Sequence, residues 1–295
     1  MGEVVGVTGA SGRLGRRVVE LLLERVPADR IRALTRHPER LQDLAGRGVT
    51  VLPGDFHQPE ALARSLEGVA RLLLISTDDL RPGARIAQHR NAVQAARRAG
   101  VRHVAYTSAL DAERNPVSFM RDHAETEAAI RESGLPFTFL RNNLYAESLL
   151  TAAPQAVQTG VLRLPAGDGR VSFVAREDCA RIAAAVLTTP GQEGRIHEVT
   201  GPESYSYADA ATVLSELSGR AIRYEPISLE EYARSMQTAG LAPAAAEAFA
   251  SLYRAIAQGF FDRISPAVRE VTGQNPLSLR EALLPYRTQL RSAGP

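Results

Sequence analysis

The run Thr8-Gly9-Ala10-Ser11-Gly12-Arg13-Leu14-Gly15 constrains this chain more than any other feature, because it joins an apolar stretch at 4–8 to a helical pattern at 13–25. Each glycine answers a separate demand of a strand-turn-helix unit that carries a diphosphate. Gly9 allows a sharp turn, Gly12 lets backbone amides come close to the ligand, and Gly15 lets the helix pack tightly on the strand. The start of the helix adds partial positive charge from its orphan N–H groups. A glycine pattern alone is weak evidence, but this one lies between strand and helix at the head of an alternating series.

The series continues with apolar runs at 31–35, 49–52, 72–75, 103–107 and 137–140, and with clear helical periods at 88–99 and 122–133. Short strands that are apolar on both faces and separated by helices imply right-handed crossovers and a parallel sheet covered on both sides. The predicted fold is therefore α/β, a Rossmann-type doubly wound sheet. Past residue 140 the alternation is less regular, with loops at 164–169 and 191–194, helices at 177–187 and 208–217, and strands at 196–199 and 222–225. Residues 229–290 are mostly helical by composition. This pattern predicts a dinucleotide-binding domain over 1–140, to which later segments return, and a smaller C-terminal α/β lobe over 141–295 on the substrate side.

The remaining composition narrows the classes of function. The formal net charge is +2 and the arginines are interleaved with acids, so no basic tract for nucleic acid or membrane is present. No apolar run reaches the length of a membrane span, and the chain enters a strand pattern at once, so a cytoplasmic protein is expected. The single cysteine, Cys179, can build neither a disulfide nor a cysteine cluster and is expected to be a small buried residue. Asp55 and His57 are the nearest metal-ligand pair, with no third ligand at a recognisable spacing, so no metal is expected. All 35 basic residues are arginine, and the chain has no lysine.

The end of the second strand reads Leu34-Thr35-Arg36-His37-Pro38, where an NAD site would place a carboxylate for the ribose 2′-hydroxyl. Here Arg36, with Arg13 from the turn, suits a 2′-phosphate, so NADP(H) is favoured over NAD(H). After the third strand, Asp55 offers an acceptor to the adenine amino group with Phe56 beside it. Asp55 equally suits a local turn or helix cap.

The segments TGASGRLG, RHPER, GDFHQPEAL, LLLIST, QHRNAVQAARRAGVRHVAYTS, HAETE and FTFLRNNLY, in this order, resemble the NmrA-like branch of atypical short-chain dehydrogenase/reductases. Within it the chain is most similar to type-2 NAD(P)H:quinone oxidoreductases and triphenylmethane reductases. The resemblance runs from residue 4 to about 284 and includes VTGPESYSYADAATVLSELSGR and PLSLREAL. It implies an NADP(H) cofactor and a quinone-like small-molecule acceptor. It also implies that Ser76, Thr77 and Asp78 after the fourth strand, and Leu140, Arg141, Asn142, Asn143, Leu144 and Tyr145, flank the cofactor.

The superfamily's usual Tyr-x-x-x-Lys relay cannot exist in a chain without lysine. By resemblance His123 and Glu127 occupy the tyrosine and lysine positions, and Ser108 the serine position. A surface helix pair spaced i, i+4 is the competing reading of His123 and Glu127. Simple carbonyl reduction needs the relay, whereas a quinone reduced by hydride gives a delocalised anion that water can protonate. Direct transfer without a flavin is therefore expected. Asn143 and Tyr145 are candidate donors to the quinone oxygen, with helix capping and packing as their alternative. A rival reading is an NADP(H)-binding redox sensor that acts through protein contacts. Whether the chain forms a homo-oligomer is left open.

Overall fold

A computed structural model of the chain describes residues 2–79, 81 and 83–294. The first part alternates β1 (Val5–Val7), α1 (Arg13–Leu22), β2 (Ile31–Thr35), α2 (Gln42–Gly46), β3 (Thr50–Pro53), α3 (Pro59–Ser65), β4 (Arg71–Leu74), α4 (Ala84–Arg98), β5 (His103–Ala109), α5 (Ser118–Glu132) and β6 (Phe137–Asn142). There follow α6 (Ala153–Thr159), β7 (Val161–Leu164), β8 (Arg170–Val171), α7 (Arg176–Thr188), β9 (Arg195–Val199), β10 (Tyr205–Ser206), α8 (Tyr207–Ser218) and β11 (Arg223–Pro226). Five helices close the chain: α9 (Leu229–Thr238), α10 (Pro243–Ala257), α11 (Ala267–Thr272), α12 (Leu279–Leu283) and α13 (Arg287–Ser292).

Seven strands form one sheet in the order β3-β2-β1-β4-β5-β6-β9. Pairings from β3 through β5 are parallel, with Val5 opposite Ile31 on one side and Arg71 on the other. At the far edge Gly194 donates to the Phe137 carbonyl at 2.7 Å and Asn143 to that of Val199 at 2.9 Å, so β9 runs the same way as β6. The strand order reverses between β1 and β4, which opens a crevice at their carboxyl ends and makes this a Rossmann-type doubly wound fold. Leucine, valine and aromatic side chains from β4, β5, β6, α3 and α4 fill the core on one face, Tyr106 and Phe139 among them.

The chain divides into two compact units. One comprises the chain up to Ala112, Asp122–Arg141 and Cys179–His197; the other comprises Glu113–Arg121, Asn142–Asp178 and the chain from Glu198 on. In the first unit Arg71 ties the amino end of β4 to the return of the chain, bonding Glu3 and Glu193 as well as the carbonyls of Val186 and Thr189. Cys179 is buried in α7. The second unit contains two small sheets, β7 with β11 parallel and β8 with β10 antiparallel. An aromatic cluster in it joins Tyr207 to Phe173, Tyr224 and Tyr253, and Tyr253 to Tyr232.

The elements depart from their expected bounds in instructive ways. The first helix ends at Leu22 rather than 25, and turn bonds carry the chain on to Pro27, which has no N–H to continue them. The sixth strand runs past Leu140 to Asn142, although Arg141 and Asn142 break its apolar run. The sequence pattern carries no strand at β7, β8 or β10; the two-residue β8 and β10 are too short to show a period.

Candidate cofactor site

Gly9 lies in the left-handed region at φ 60°, a conformation costly for any side chain. A Cβ on Gly15 would fall 2.4 Å from the Gly9 carbonyl oxygen, so only glycine lets α1 start this close to the turn. Two amides of the turn are already spent: Ala10 donates to the Leu34 carbonyl of β2 and Gly12 to that of Gly9. The orphan N–H groups at the start of α1 remain for an anion, and no acidic residue occupies that first turn. Ala10 and Leu14 are buried and contribute only backbone, while the Ser11 hydroxyl pairs with Thr35 Oγ1 at 2.6 Å.

Arg13 and Arg36 are both exposed at the turn and at the end of β2. Neither enters an ion pair among the described residues, whereas Arg16 is engaged by Glu20 and Asp43. Two uncommitted guanidiniums and a row of orphan amides fit a dinucleotide bearing an extra phosphate. After β3, Asp55 Oδ1 accepts from the His57 N–H at 2.9 Å, the local turn anticipated as its alternative role. The half-buried Phe56 is held through its carbonyl by Asn91 Nδ2 at 2.9 Å.

The loop after β4 is anchored by side chains from three elements. Ile75 donates its N–H to Thr8 Oγ1, Ser76 to Thr107 Oγ1 and Thr77 to His89 Nε2, at 2.9, 2.9 and 3.0 Å. Gln88 holds the far end through Asp79 Oδ2 at 2.8 Å. Sequence reasoning missed Thr8, Thr107, Gln88, His89 and Asn91. His89 did carry a signal: it shares the buried face of α4 with Ala92, Val93 and Ala96, where a polar side chain needs a partner.

His123 and Glu127 are not a surface pair; both are buried, which corrects that reading. An arginine can only donate, so His123 Nε2 accepts from Arg85 Nη1 at 3.3 Å, and the ring proton on Nδ1 goes to Tyr106 Oη at 2.8 Å. Burial, and then the Arg85 charge, hold the His123 pKa well below the ordinary histidine value. With both nitrogens engaged and the ring kept neutral, His123 is badly placed to act as an acid. Glu127 accepts from the Ser108 hydroxyl at 2.6 Å and from Arg141 through Nε and Nη2 at 2.9 and 2.6 Å. This cluster therefore spends the Ser108 proton and the Arg141 fork internally.

In the second unit Asn143 has no donor to spare. Its Nδ2 reaches the Ser172 carbonyl, Ser172 Oγ and the Phe261 carbonyl, each at 3.0 Å, and its Oδ1 accepts from the Leu144 N–H. Asn142 differs: Nδ2 donates to Tyr145 Oη at 3.3 Å, and Oδ1 is buried without a hydrogen-bond partner. Tyr145 is half-buried, with the Arg176 guanidinium 5.4 Å over its ring. Leu140 is fully buried, so its side chain serves the core. Among the described residues no group of His, Cys, Asp and Glu could hold a metal ion, and no helix is long and apolar enough to cross a membrane.

A parallel sheet with its reversal beside a glycine-rich turn, and with a superfamily relay position lacking tyrosine and lysine, defines an atypical dehydrogenase/reductase-type Rossmann protein. The chain belongs to the NmrA-like family, whose model matches residues 1–274. It is similar to quinone oxidoreductase 2 of Escherichia coli, 37% identical over 95% of this chain and 97% of that protein. The crystal structure of an NADPH-dependent quinone oxidoreductase from E. coli, complexed with NADPH, matches with a TM-score of 0.90 at 36% identity, covering 95% of this chain and 98% of the other. Citrobacter sp. triphenylmethane reductase complexed with NADP(H) matches with a TM-score of 0.87 at 37% identity and the same coverage.

Proposed function

We propose that this protein is an NADPH-dependent reductase of quinones or similarly conjugated acceptors, working by direct hydride transfer without a flavin. One observation carries the reading: the relay position holds His123 and Glu127, each saturated by buried partners, while the turn keeps its orphan amides and two uncommitted arginines. A site built this way suits an acceptor that needs a hydride but no enzymic proton. The similarity to quinone and triphenylmethane reductases supports the same conclusion.

NADPH, when bound, supplies a hydride from nicotinamide C4. The orphan amides of α1 hold its diphosphate, and Arg13 with Arg36 hold the 2′-phosphate. Asp55 and Phe56 flank the adenine, and Ser76, Thr77 and Asp78 line the cofactor beyond the turn. Ser108, Arg141 and Asn143 act as internal supports in this reading. Tyr145 is the better candidate than Asn143 to donate to the acceptor oxygen, because the Asn143 amide is already spent. The hydroquinone anion formed by hydride uptake spreads its charge over the ring, and water completes the protonation. Such chemistry on a diffusible acceptor fits a cytoplasmic enzyme.

The test follows NADPH absorbance in stopped flow with and without a simple quinone. Oxidation should accelerate with the quinone, one of the (4R)- and (4S)-deuterated cofactors alone should show an isotope effect, and the purified protein should lack flavin absorbance. Tight NADPH binding with no acceleration by any quinone would make the protein a redox sensor instead.

A further inference from the structure

Three successive amides of the loop after β4 are turned onto Thr8, Thr107 and His89, and this determines what the loop can offer a ligand. Thr8 donates its own hydroxyl to the Leu73 carbonyl at 3.2 Å, which leaves a lone pair for the Ile75 N–H. A backbone N–H can only donate, so His89 Nε2 is the acceptor and its ring proton sits on Nδ1, facing Thr126 Oγ1 at 2.8 Å. Thr126 passes its hydroxyl proton to the Asp122 carbonyl at 2.6 Å, so the buried chain behind the loop has a single direction. His89 is fully buried, with the rings of Phe56 and Tyr106 edge-on to its imidazole. A protonated His89 would present a donor to the Thr77 donor; burial, and then the Arg85 charge, hold its pKa down to about 3.

With those donors withdrawn, the polar atoms left on residues 75–77 are carbonyl oxygens and the hydroxyls of Ser76 and Thr77, followed by the exposed carboxylate of Asp78. Without free backbone N–H groups on 75–77 and with the Asp78 carboxylate beside it, such a surface suits hydroxyl groups better than phosphate, its carbonyls accepting from them. It also adjoins the glycine turn, since a Cβ on Gly9 would lie 3.6 Å from Ile75 Cβ. We propose that Thr8, Thr107 and His89 are positioning residues that shape this loop into an acceptor-rich seat for the hydroxyls of the nicotinamide ribose. The proposal rests on the reading of this unit as an NADP(H) site.

His89→Gln and His89→Asn separate the two ends of the imidazole. Glutamine carries an acceptor to the place of Nε2 and keeps the Thr77 bond; asparagine reaches only the place of Nδ1 and loses it. The asparagine variant should bind NADPH about tenfold more weakly, the scale of one unsatisfied amide, and bind adenosine 2′,5′-bisphosphate, which lacks the nicotinamide ribose, as wild type does. The glutamine variant should bind both as wild type does. Hydrogen exchange at Thr77 in ligand-free protein should quicken in the asparagine variant alone. Thr107→Val, with Thr107→Ser as its rescue, repeats the test at Ser76 should either histidine variant fail to fold. Equal weakening of NADPH in both histidine variants, or loss of adenosine 2′,5′-bisphosphate in step with NADPH, would overturn the proposal. Wild-type protein that binds neither ligand would overturn the cofactor reading itself, and the proposal with it.

Discussion

At the scale of single residues, its place at the end of β2 and its exposure separate Arg36 from those arginines of the first unit that carboxylates hold. Arg16, Arg71 and Arg141 are committed to carboxylates, whereas Arg36 stands in solvent at the end of β2. Arg36→Ala should therefore weaken NADPH binding by roughly 10- to 100-fold, the range for a hydrogen bond to a charged group, and leave NADH almost unchanged. Parallel titrations with the two cofactors decide this; equal losses would place the 2′-phosphate elsewhere. His123 gives the opposite expectation. Its nitrogens serve Tyr106 and Arg85, so His123→Phe should lower stability while leaving kcat/KM for a quinone within about tenfold of wild type. A loss of about 100-fold or more in folded protein, the mark of a missing general acid, would show that the relay has been rebuilt on histidine.

Among elements, the junction of β5, α5 and β6 depends on a buried carboxylate. Glu127 has no exposed surface and collects the Ser108 hydroxyl, both arms of Arg141 and, at 3.5 Å, Arg131, whose guanidinium also lies 4.7 Å over the Phe139 ring. A buried pair of this kind adds little net stability over apolar packing, but removing one partner strands the other. Glu127→Ala should cost about 3 to 5 kcal/mol in urea unfolding, far more than the roughly 0.5 kcal/mol expected for an exposed i, i+4 carboxylate. A cost under about 1 kcal/mol would mean that water reaches the cluster. This arrangement also accounts for the reach of β6 beyond its apolar run: Arg141 is satisfied by a residue 14 positions earlier, so its charge need not face solvent.

Across the whole molecule, three of the six histidines lie buried with lowered pKa values. Burial is the first cause in each; His89 falls to about 3 and His103 to about 4, and His123 is also well below its usual value. The unfolded chain takes up protons near the ordinary histidine pKa of about 6.5, whereas the folded chain resists until far lower pH. Stability is therefore full above that pH and declines as pH falls through the window between the two, by about 1.4 kcal/mol per pH unit for each such histidine. Urea midpoints between pH 7 and pH 5 should fall steeply, and His123→Phe should flatten the slope. A midpoint independent of pH in this range would show that the histidines are hydrated.

What the sequence by itself determined is local or chemical. The glycine turn between strand and helix, the alternation that yields a doubly wound sheet, the arginine at the end of β2 and the lack of lysine can each be read along the chain, because backbone sterics, side-chain period and composition need no distant partner. Tertiary structure alone decided which polar groups are spent. Asn142 and Asn143 are adjacent and identical, yet one is saturated by Ser172 and Phe261 while the other keeps a buried oxygen without a partner. His89 and His123 are likewise only helical polar residues until the chain brings Thr77, Tyr106 and Arg85 to their nitrogens. A hydrogen bond depends on distance and direction, and the partners here lie up to 118 residues away in sequence, where no local pattern can record them.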